Sequence, residues 1–411
     1  MIQFHKKPIV QKYGGSSLST MERIGRVASK IVKSAENGQP VVAVVSAMGN
    51  TTSELILQAR AASTVPARRE LDMLLSSGER ISMALLAMAI EQEGHPAISL
   101  TGPQCGIFTD EEHTNATILD IRPERVSEEL AAGKIVVVAG YQGISSDGEV
   151  TTLGRGGSDT TAVALAVALG AERCEIYSDV SGVYSADPRI VREPRHLREV
   201  DAELMTEYAL HGARVLHPPC IELAGRHGVA VHAKSTFGDR KFTIIGGNLE
   251  IKGTLADKTQ PRVVGVTSRE RRIRMLSCNS RKPAIQRVLD ELGVRGDQLH
   301  AGKNGRQDCL LDIEDMPDAE TIAGCLRNQT RDMGSVIEEL ASVSLVAPAP
   351  LVKQVMGQVG AVLAKLGTSV SSTYIRPLSI TCAIEPEARQ EAVRALHESF
   401  VEAPVSIGAC S

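Results

Sequence analysis

Over the first 250 residues, short β-branched runs alternate with stretches of helical spacing. Pro8 to Val10 leads into a glycine turn at Gly14 and Gly15, and a helix pattern then runs from Thr20 to Ala35. Val41 to Val45 is continuously apolar, as expected of a strand covered on both faces. Leu71 to Ile90 reads as a helical region broken near Ser76 to Gly78. Strands follow at Ala97 to Leu100 and Ile135 to Ala139, then a helix from Asp159 to Leu169 and a strand at Cys174 to Tyr177. Helices near Ala202 to His211 and Pro218 to His227 precede a last strand at Val229 to Ala233. This alternation predicts an α/β domain with a largely parallel sheet between helix layers.

The pattern changes from about Val263. A cluster of Arg269, Arg271, Arg272 and Arg274 precedes a strand at Arg274 to Ser277, a helix at Pro283 to Leu292 and strands near Leu310. A comparable unit follows: strand Ser342 to Val346, helix Leu351 to Leu366, strand Leu378 to Ile384, helix Pro386 to Phe400. Two small α+β units in tandem are expected. The arginine cluster reads as a solvated surface near a domain junction.

Composition narrows the function. A net charge of -4 over 411 residues gives no electrostatic reason for nucleic acid or a membrane as partner, and 3% aromatics with no Trp argues against base-stacking platforms. The eight cysteines form no Cys-x-x-Cys pair and no zinc-ligand spacing, so they read as reduced thiols of a cytoplasmic protein. Met1 to Gln11 lacks a signal-peptide apolar stretch, and no membrane span is expected.

Three glycine-bearing segments stand at the C-terminal ends of expected strands, where open α/β sheets bind ligands. Lys12-Tyr13-Gly14-Gly15-Ser16-Ser17 is either a plain tight turn or an anion nest with a lysine beside it; it is not a Walker A loop. Ser46-Ala47-Met48-Gly49-Asn50-Thr51-Thr52 either lines a substrate cleft or caps the next helix. The third, Thr151 to Thr161, carries Gly154-Arg155-Gly156-Gly157-Ser158-Asp159. Free N–H groups at a helix start, with Ser158 as candidate cap, suit an anion, and Arg155 suits a bidentate carboxylate or phosphate clamp. Tyr177 to Arg189 reads as a charged loop or a nucleotide grip, with Tyr184 against a base and Asp179 or Asp187 near magnesium or ribose. Glu79, in Ser77-Gly78-Glu79-Arg80, is either a helix-dipole partner or an anion placed for an α-ammonium group.

Together these segments resemble the aspartokinases of the amino-acid kinase superfamily. That family's Lys-Phe-Gly-Gly-Thr-Ser appears as Lys12 to Ser17, and its Val-Val-Ser-Ala-Met-Gly-x-Thr-Thr as Val44 to Thr52. Its Ser/Thr-Gly-Glu is Ser77 to Glu79, its Gly-Arg-Gly-Gly-Ser-Asp-Thr-Thr-Ala is Gly154 to Ala162, and its nucleotide-loop motif is Ser178 to Arg189. Gly-Ala-Lys-Val-Leu-His-Pro stands at Gly212 to Pro218 with Arg214 in place of lysine.

The resemblance implies a three-layer α/β/α kinase domain at 1–250 with a mainly parallel sheet. Two ACT-like (ferredoxin-like) modules follow at 263–335 and 336–403, the first completed by a strand at 404–410. It implies ATP and Mg2+, with the metal held mainly by the ATP phosphates, and L-aspartate as acceptor in the aspartate-family pathway to lysine, methionine and threonine. Lys12 and Asp159 would be catalytic. Ser46, Thr52, Glu79, Arg155 and Ser158 would bind substrate, with Glu79 on its amino group and Arg155 on its α-carboxylate. Gly14, Gly15, Ser16, Ser178, Asp179, Tyr184, Arg189 and Arg214 would hold phosphates and nucleotide. A homodimer through the ACT-like modules is implied. An ionised carboxylate nucleophile needs no general base, which matches the lack of a catalytic His or Cys arrangement.

There are departures. Pro103 and Cys105 replace residues of a family motif near the substrate wall, and Arg214 keeps the charge but not the point geometry of lysine. Ser280 to Ala284 and Ala347 to Leu351 replace the usual Pro-Gly-x-Ala helix starts of the modules, so weak or absent inhibition by lysine and threonine is expected. The rival readings are a kinase for another amino acid and a silent amino-acid sensor. Retention of Lys12, Glu79, Arg155 and Asp159 speaks against silence.

Overall fold

The computed structural model describes residues 5–238, 241–246, 262–278, 286–289, 300–301, 306–313, 319–331 and 335–402. The chain divides into two units. The first holds Met1–Val183, His196–Ala209 and Arg214–Gly253; the second holds Tyr184–Arg195, Leu210–Ala213 and Thr254–Ser411.

In the first unit, β1 (Ile9–Tyr13) lies between β2 (Val41–Val45) and β9 (Arg173–Ser178), all parallel. β6 (Ile135–Ala139) pairs with β2, and β3 (Ala97–Leu100) closes that side of the sheet. On the other side, Val231–Ser235 pairs parallel with β9, then antiparallel with Phe242–Ile245, which pairs with Glu199–Val200 at the edge. The central strands read as near-continuous Val, Ile and Ala because both faces are covered. All five residues of β2 and of β6 are buried, and each such valine contributes roughly 2 kcal/mol by removal from water.

Alternation along β1 sorts its side chains. Ile9 and Tyr13 join the apolar cluster under α1 (Met21–Glu36) and α3 (Arg68–Gln92). Lys12 takes the opposite face, toward α5 (Gly157–Ala168), on which α7 (Pro218–His227) packs. Thr20 caps α1 by accepting a hydrogen bond from Arg23 N. A short second sheet, in the order Ile118–Ile121, Ile107–Thr109, Gln142–Ile144, Val150–Thr152, was not legible in the sequence: its strands are of three or four residues, too short to show a period.

One expectation is corrected in this unit. α3 is one unbroken helix through Ser76 to Gly78. The small residues are there for close packing, since a Cβ on Gly78 would stand 2.8 Å from Ala47 Cβ. By length and composition α3 is also apolar enough to cross a membrane. Here it is a core helix that packs on α1 and the sheet, with the Asp72 and Glu79 carboxylates buried.

The second unit carries a six-stranded antiparallel sheet in the order His300–Ala301, Arg306–Asp312, Gly265–Cys278, Val336–Val346, Ser379–Ile384, Val370–Arg376. Two apolar clusters line it. One gathers residues of the helices Ala349–Lys365 and Arg389–His397, the other residues of Ala319–Arg331. The arginine cluster is not a solvated surface. It lies within the strand Gly265–Cys278, where Arg269 and Arg272 are 5% and 3% exposed. Arg269 Nε sits 2.9 Å from Asp312, and Arg274 forks onto Asp308. Such charges enter a sheet when carboxylates on the next strand meet them, information that no local window contains. The expected strand 404–410 and the helix start at Ser280 to Ala284 lie outside the described residues.

Candidate functional site

At the C-terminal edge of the first unit's sheet, the backbone ladder continues past the strand ends. Gly14 N donates to Tyr177 O at 3.2 Å, Ser46 N to Tyr13 O at 3.1 Å, and Gly140 N to Val45 O at 3.0 Å. The loops after β1, β2, β6 and β9 therefore leave the sheet at one level, which is where open α/β sheets hold ligands.

The first two loops touch directly. A Cβ on Gly15 would lie 2.8 Å from Ala47 O, and Gly49 N donates to Gly15 O at 3.0 Å. Only glycine permits that approach. Gly15–Leu18 forms a 3-10 turn, so Gly14, Gly15 and exposed Ser16 present a tight backbone bend next to Lys12, whose Nζ lies 3.6 Å from where a Gly14 Cβ would be. Ser17 turns inward and shares a 2.6 Å hydrogen bond with Thr236.

The second loop reaches α3. Ala47 N donates to Glu79 Oε1 at 2.9 Å, while Glu79 Oε2 is buried without a hydrogen-bond partner among the described residues. Burial pushes this carboxyl up to about 7, against the Ala47 N–H and the Lys12 charge, which favour ionisation. Glu79 sits mid-helix, so the helix-dipole reading of the sequence falls away. Ser46 and Thr52 are half-buried, Thr52 in the first turn of α2 (Thr51–Ala62). The helix is entered through Asn50 with no side-chain cap bond.

The third segment closes the set. α5 begins at Gly157, and its cap is Gly156 in the left-handed region at φ 72°, not Ser158, which lies one residue inside the helix. A Cβ on Gly140 would stand 2.8 Å from Ser158 Oγ, so β6 and α5 meet as closely as backbone allows. In the first turn of α5, Asp159 Oδ1 is 2.6 Å from Lys12 Nζ, both side chains being nearly buried. The turn that starts the helix bears Arg155, which is exposed. A Cβ on Gly156 would lie 2.2 Å from His217 Cγ, placing the α7 entry, with exposed Arg214 three residues earlier, against that turn.

Lys12, Gly14, Gly15, Ser46, Glu79, Ser158 and Asp159 thus share one edge, linked by direct contacts through Ala47, Gly140 and the Lys12–Asp159 pair. Ser178 ends β9 beside them and accepts from Val180 N, while Asp179 is exposed in the next position. Tyr184 and Arg189 belong to the second unit, where Arg189 forks onto Asp187.

Sequence reasoning missed Asp72, fully buried on α3 and bonded to His113, Thr114 and Thr152. The available signal was its position seven residues before Glu79 on one helix face. It also missed Glu175. Burial alone would raise that carboxyl, but Lys234 and Arg173 outweigh burial and hold it near 2, under the stacked rings of Tyr13 and Tyr177.

The geometry has relatives. Residues 7–235 match the model of the amino acid kinase family. An aspartokinase of Geobacillus stearothermophilus is 37% identical over 407 residues, 95% of this chain and 97% of that protein. With the aspartokinase of Mycolicibacterium smegmatis identity is 51% over 267 residues, 63% of each chain. Among solved structures, E. coli aspartokinase III in complex with aspartate and ADP superposes with a TM-score of 0.80 at 21% identity, over 96% of this chain and 100% of that one. That last likeness concerns the fold.

Proposed function

Since the chain belongs to the aspartokinases of the amino acid kinase family, we propose that it transfers the γ-phosphoryl group of ATP to the side-chain carboxylate of L-aspartate. The products are ADP and 4-phospho-L-aspartate, the opening step of the aspartate-family pathway. The observation that carries the reading is Glu79: a buried carboxylate with one oxygen unpartnered among the described residues, held by Ala47 of the second glycine loop, which itself touches the Gly15 turn beside Lys12. Such an oxygen suits an ammonium group, and an amino acid brings one.

The steps follow from charge. One oxygen of the acceptor carboxylate attacks the γ-phosphorus as the bond to the ADP oxygen breaks. The nucleophile is already ionised, so no proton moves and no general base is needed. Lys12 screens the charge spread over the transferring group, and Asp159 holds the ammonium of Lys12 in place. Gly15 and Ser16 supply backbone donors, Gly14 supplies the close bend while its own N–H is held by Tyr177 O, and the N-terminus of α5 adds its dipole. Glu79 takes the α-ammonium, Arg155 the α-carboxylate, and Ser46, Thr52 and Ser158 line the space between. Ser178, Asp179 and Arg214 hold the nucleotide.

Asp159 is committed to Lys12, Glu79 is the carboxylate set for an ammonium group, and no group of three metal-ligand side chains occurs among the described residues. Magnesium would be carried mainly on the nucleotide phosphates, where it would neutralise their charge. The second unit is read as the two ACT-like modules, 263–335 and 336–403, joining two copies into a dimer. Its edge strand Val370–Arg376, with Ile375 half exposed, supports that reading. A cytoplasmic enzyme accords with an α3 whose apolar side packs in the core.

The test is direct. Protein, ATP, magnesium and L-aspartate are incubated with hydroxylamine, and the hydroxamate is measured. Product with L-aspartate is expected; product only with a different acid, or none, overturns the assignment.

A further inference from the structure

Asp72 and Glu79 lie seven residues apart on α3, so they share a helix face, and their exposures are 0% and 3%. Burying a carboxylate without a lysine or arginine beside it is expensive unless donors surround it. Among the described residues, the donors to Asp72 come from two segments. His113 Nδ1 lies 2.6 Å from Oδ2, Thr114 N donates to Oδ1 at 3.0 Å and to Oδ2 at 3.1 Å, and Thr152 Oγ1 donates to Oδ1 at 2.5 Å.

Both segments border the Arg155 turn. Ala116 N donates to Thr152 O at 2.8 Å, and Leu153 N to Tyr141 O at 2.9 Å. Gly154, at φ 69°, approaches so closely that a Cβ would stand 2.7 Å from Asn115 Oδ1. Thr114 is held at φ 71°, a conformation a β-branched residue keeps only when its surroundings impose it. Its amide is the one that Asp72 takes with both oxygens. The same helix therefore reaches the second glycine loop through Glu79 and Ala47, and the Arg155 turn through Asp72.

We propose that Asp72 is a positioning residue that sets where Arg155 stands relative to Glu79, and so selects acceptors whose α-ammonium and α-carboxylate have one fixed spacing. This rests on the reading that Glu79 and Arg155 grip those two groups. Asp72 touches neither substrate nor phosphate; it acts through Thr114 and Thr152 on the turn.

Steady-state hydroxamate kinetics test it, with acceptor and ATP varied separately, on wild type, Asp72→Asn, Thr152→Val and His113→Ala. Asp72→Asn removes one acceptor oxygen, so KM for L-aspartate should rise about tenfold while KM for ATP stays within about twofold. With the α-amide of L-aspartate, which offers Arg155 no carboxylate, the substitution should change kcat/KM by less than about threefold. Equal losses toward both acceptors and toward ATP mean general loosening and overturn the proposal. If Asp72→Asn does not fold, the single-donor variants decide: a selective rise in KM for L-aspartate supports the role, and unchanged KM in both removes it. Wild type that yields no hydroxamate from L-aspartate sinks the parent reading as well. Active wild type with unaltered variants sinks only the positioning role.

Discussion

Lys12 Nζ stands 2.6 Å from Asp159 Oδ1, which ties the next-to-last residue of β1 to the first turn of α5. Because Arg155 precedes Asp159 by four residues in the turn that opens the helix, the pair places lysine and arginine at the same edge of the sheet. A shared cleft for phosphate and amino acid requires that arrangement.

Lys12→Ala removes the side-chain cation that lies beside the first glycine turn and pairs with Asp159 of α5. Hydroxamate formation should fall by about 10²-fold or more, as when a preorganised charge is taken from a transition state. Circular dichroism and the melting temperature should show a folded protein, although Asp159 loses its partner. Turnover within a few fold of wild type removes Lys12 from the mechanism.

Glu79 gives a pH signature. Its carboxyl rises from 4.5 to about 7 through burial, so the free protein presents the anion that an ammonium group needs only above about pH 7. kcat/KM for L-aspartate should climb with pH up to about 7 and then level, and the climb should be absent in Glu79→Gln, at much lower activity. Linkage works in the opposite sense on stability. Between pH 4.5 and about 7 the native state binds the proton that the unfolded chain has released, so this group's contribution to stability declines as pH rises through that window. Denaturant unfolding of Glu79→Gln should show less of that decline.

The fold was legible where one element packs by its own pattern. The valines of β2 and β6 announce buried strands, and the Thr20 cap announces α1. It was illegible where residue choice answers a distant partner. Gly78 looks like a helix break yet clears Ala47; Arg269 looks like surface yet meets Asp312 on the neighbouring strand. The site divides the same way. Glycine turns with Lys12, Arg155 and Asp159 stand out because phosphate and carboxylate chemistry demands them within a few residues. Asp72 does not, because its partners at 113, 114 and 152 are sequence-distant.

Gly156→Ala tests the joint between the third segment and α7. The residue holds φ 72°, and an added Cβ would meet His217 Cγ at 2.2 Å, so both backbone and ring must move. Strain of about 1–3 kcal/mol is expected. It should appear as a lowered melting temperature together with a raised KM for L-aspartate, since Arg155 precedes this residue and Ser158 follows it by two. A variant as stable and as active as wild type contradicts the placement.

The second unit carries a prediction about regulation. A helix N-terminus binds the carboxylate of an amino acid by offering free N–H groups. In the helix Ala349–Lys365 that offer is reduced: Pro350 has no N–H, and the amides of Leu351 and Val352 already donate to Pro348 O at 2.9 and 3.1 Å. Lysine or threonine docking there would have to displace bonds the helix makes to itself. Initial rates measured with L-aspartate near its KM should therefore change by less than about twofold when millimolar lysine, threonine or both are added, corresponding to under about 0.4 kcal/mol of coupling. Strong inhibition at micromolar concentration would show that an effector is held by other groups. Pro350→Gly, which returns a backbone N–H to the helix start, should then leave the inhibition unchanged if those other groups suffice, and strengthen it if the helix start takes part.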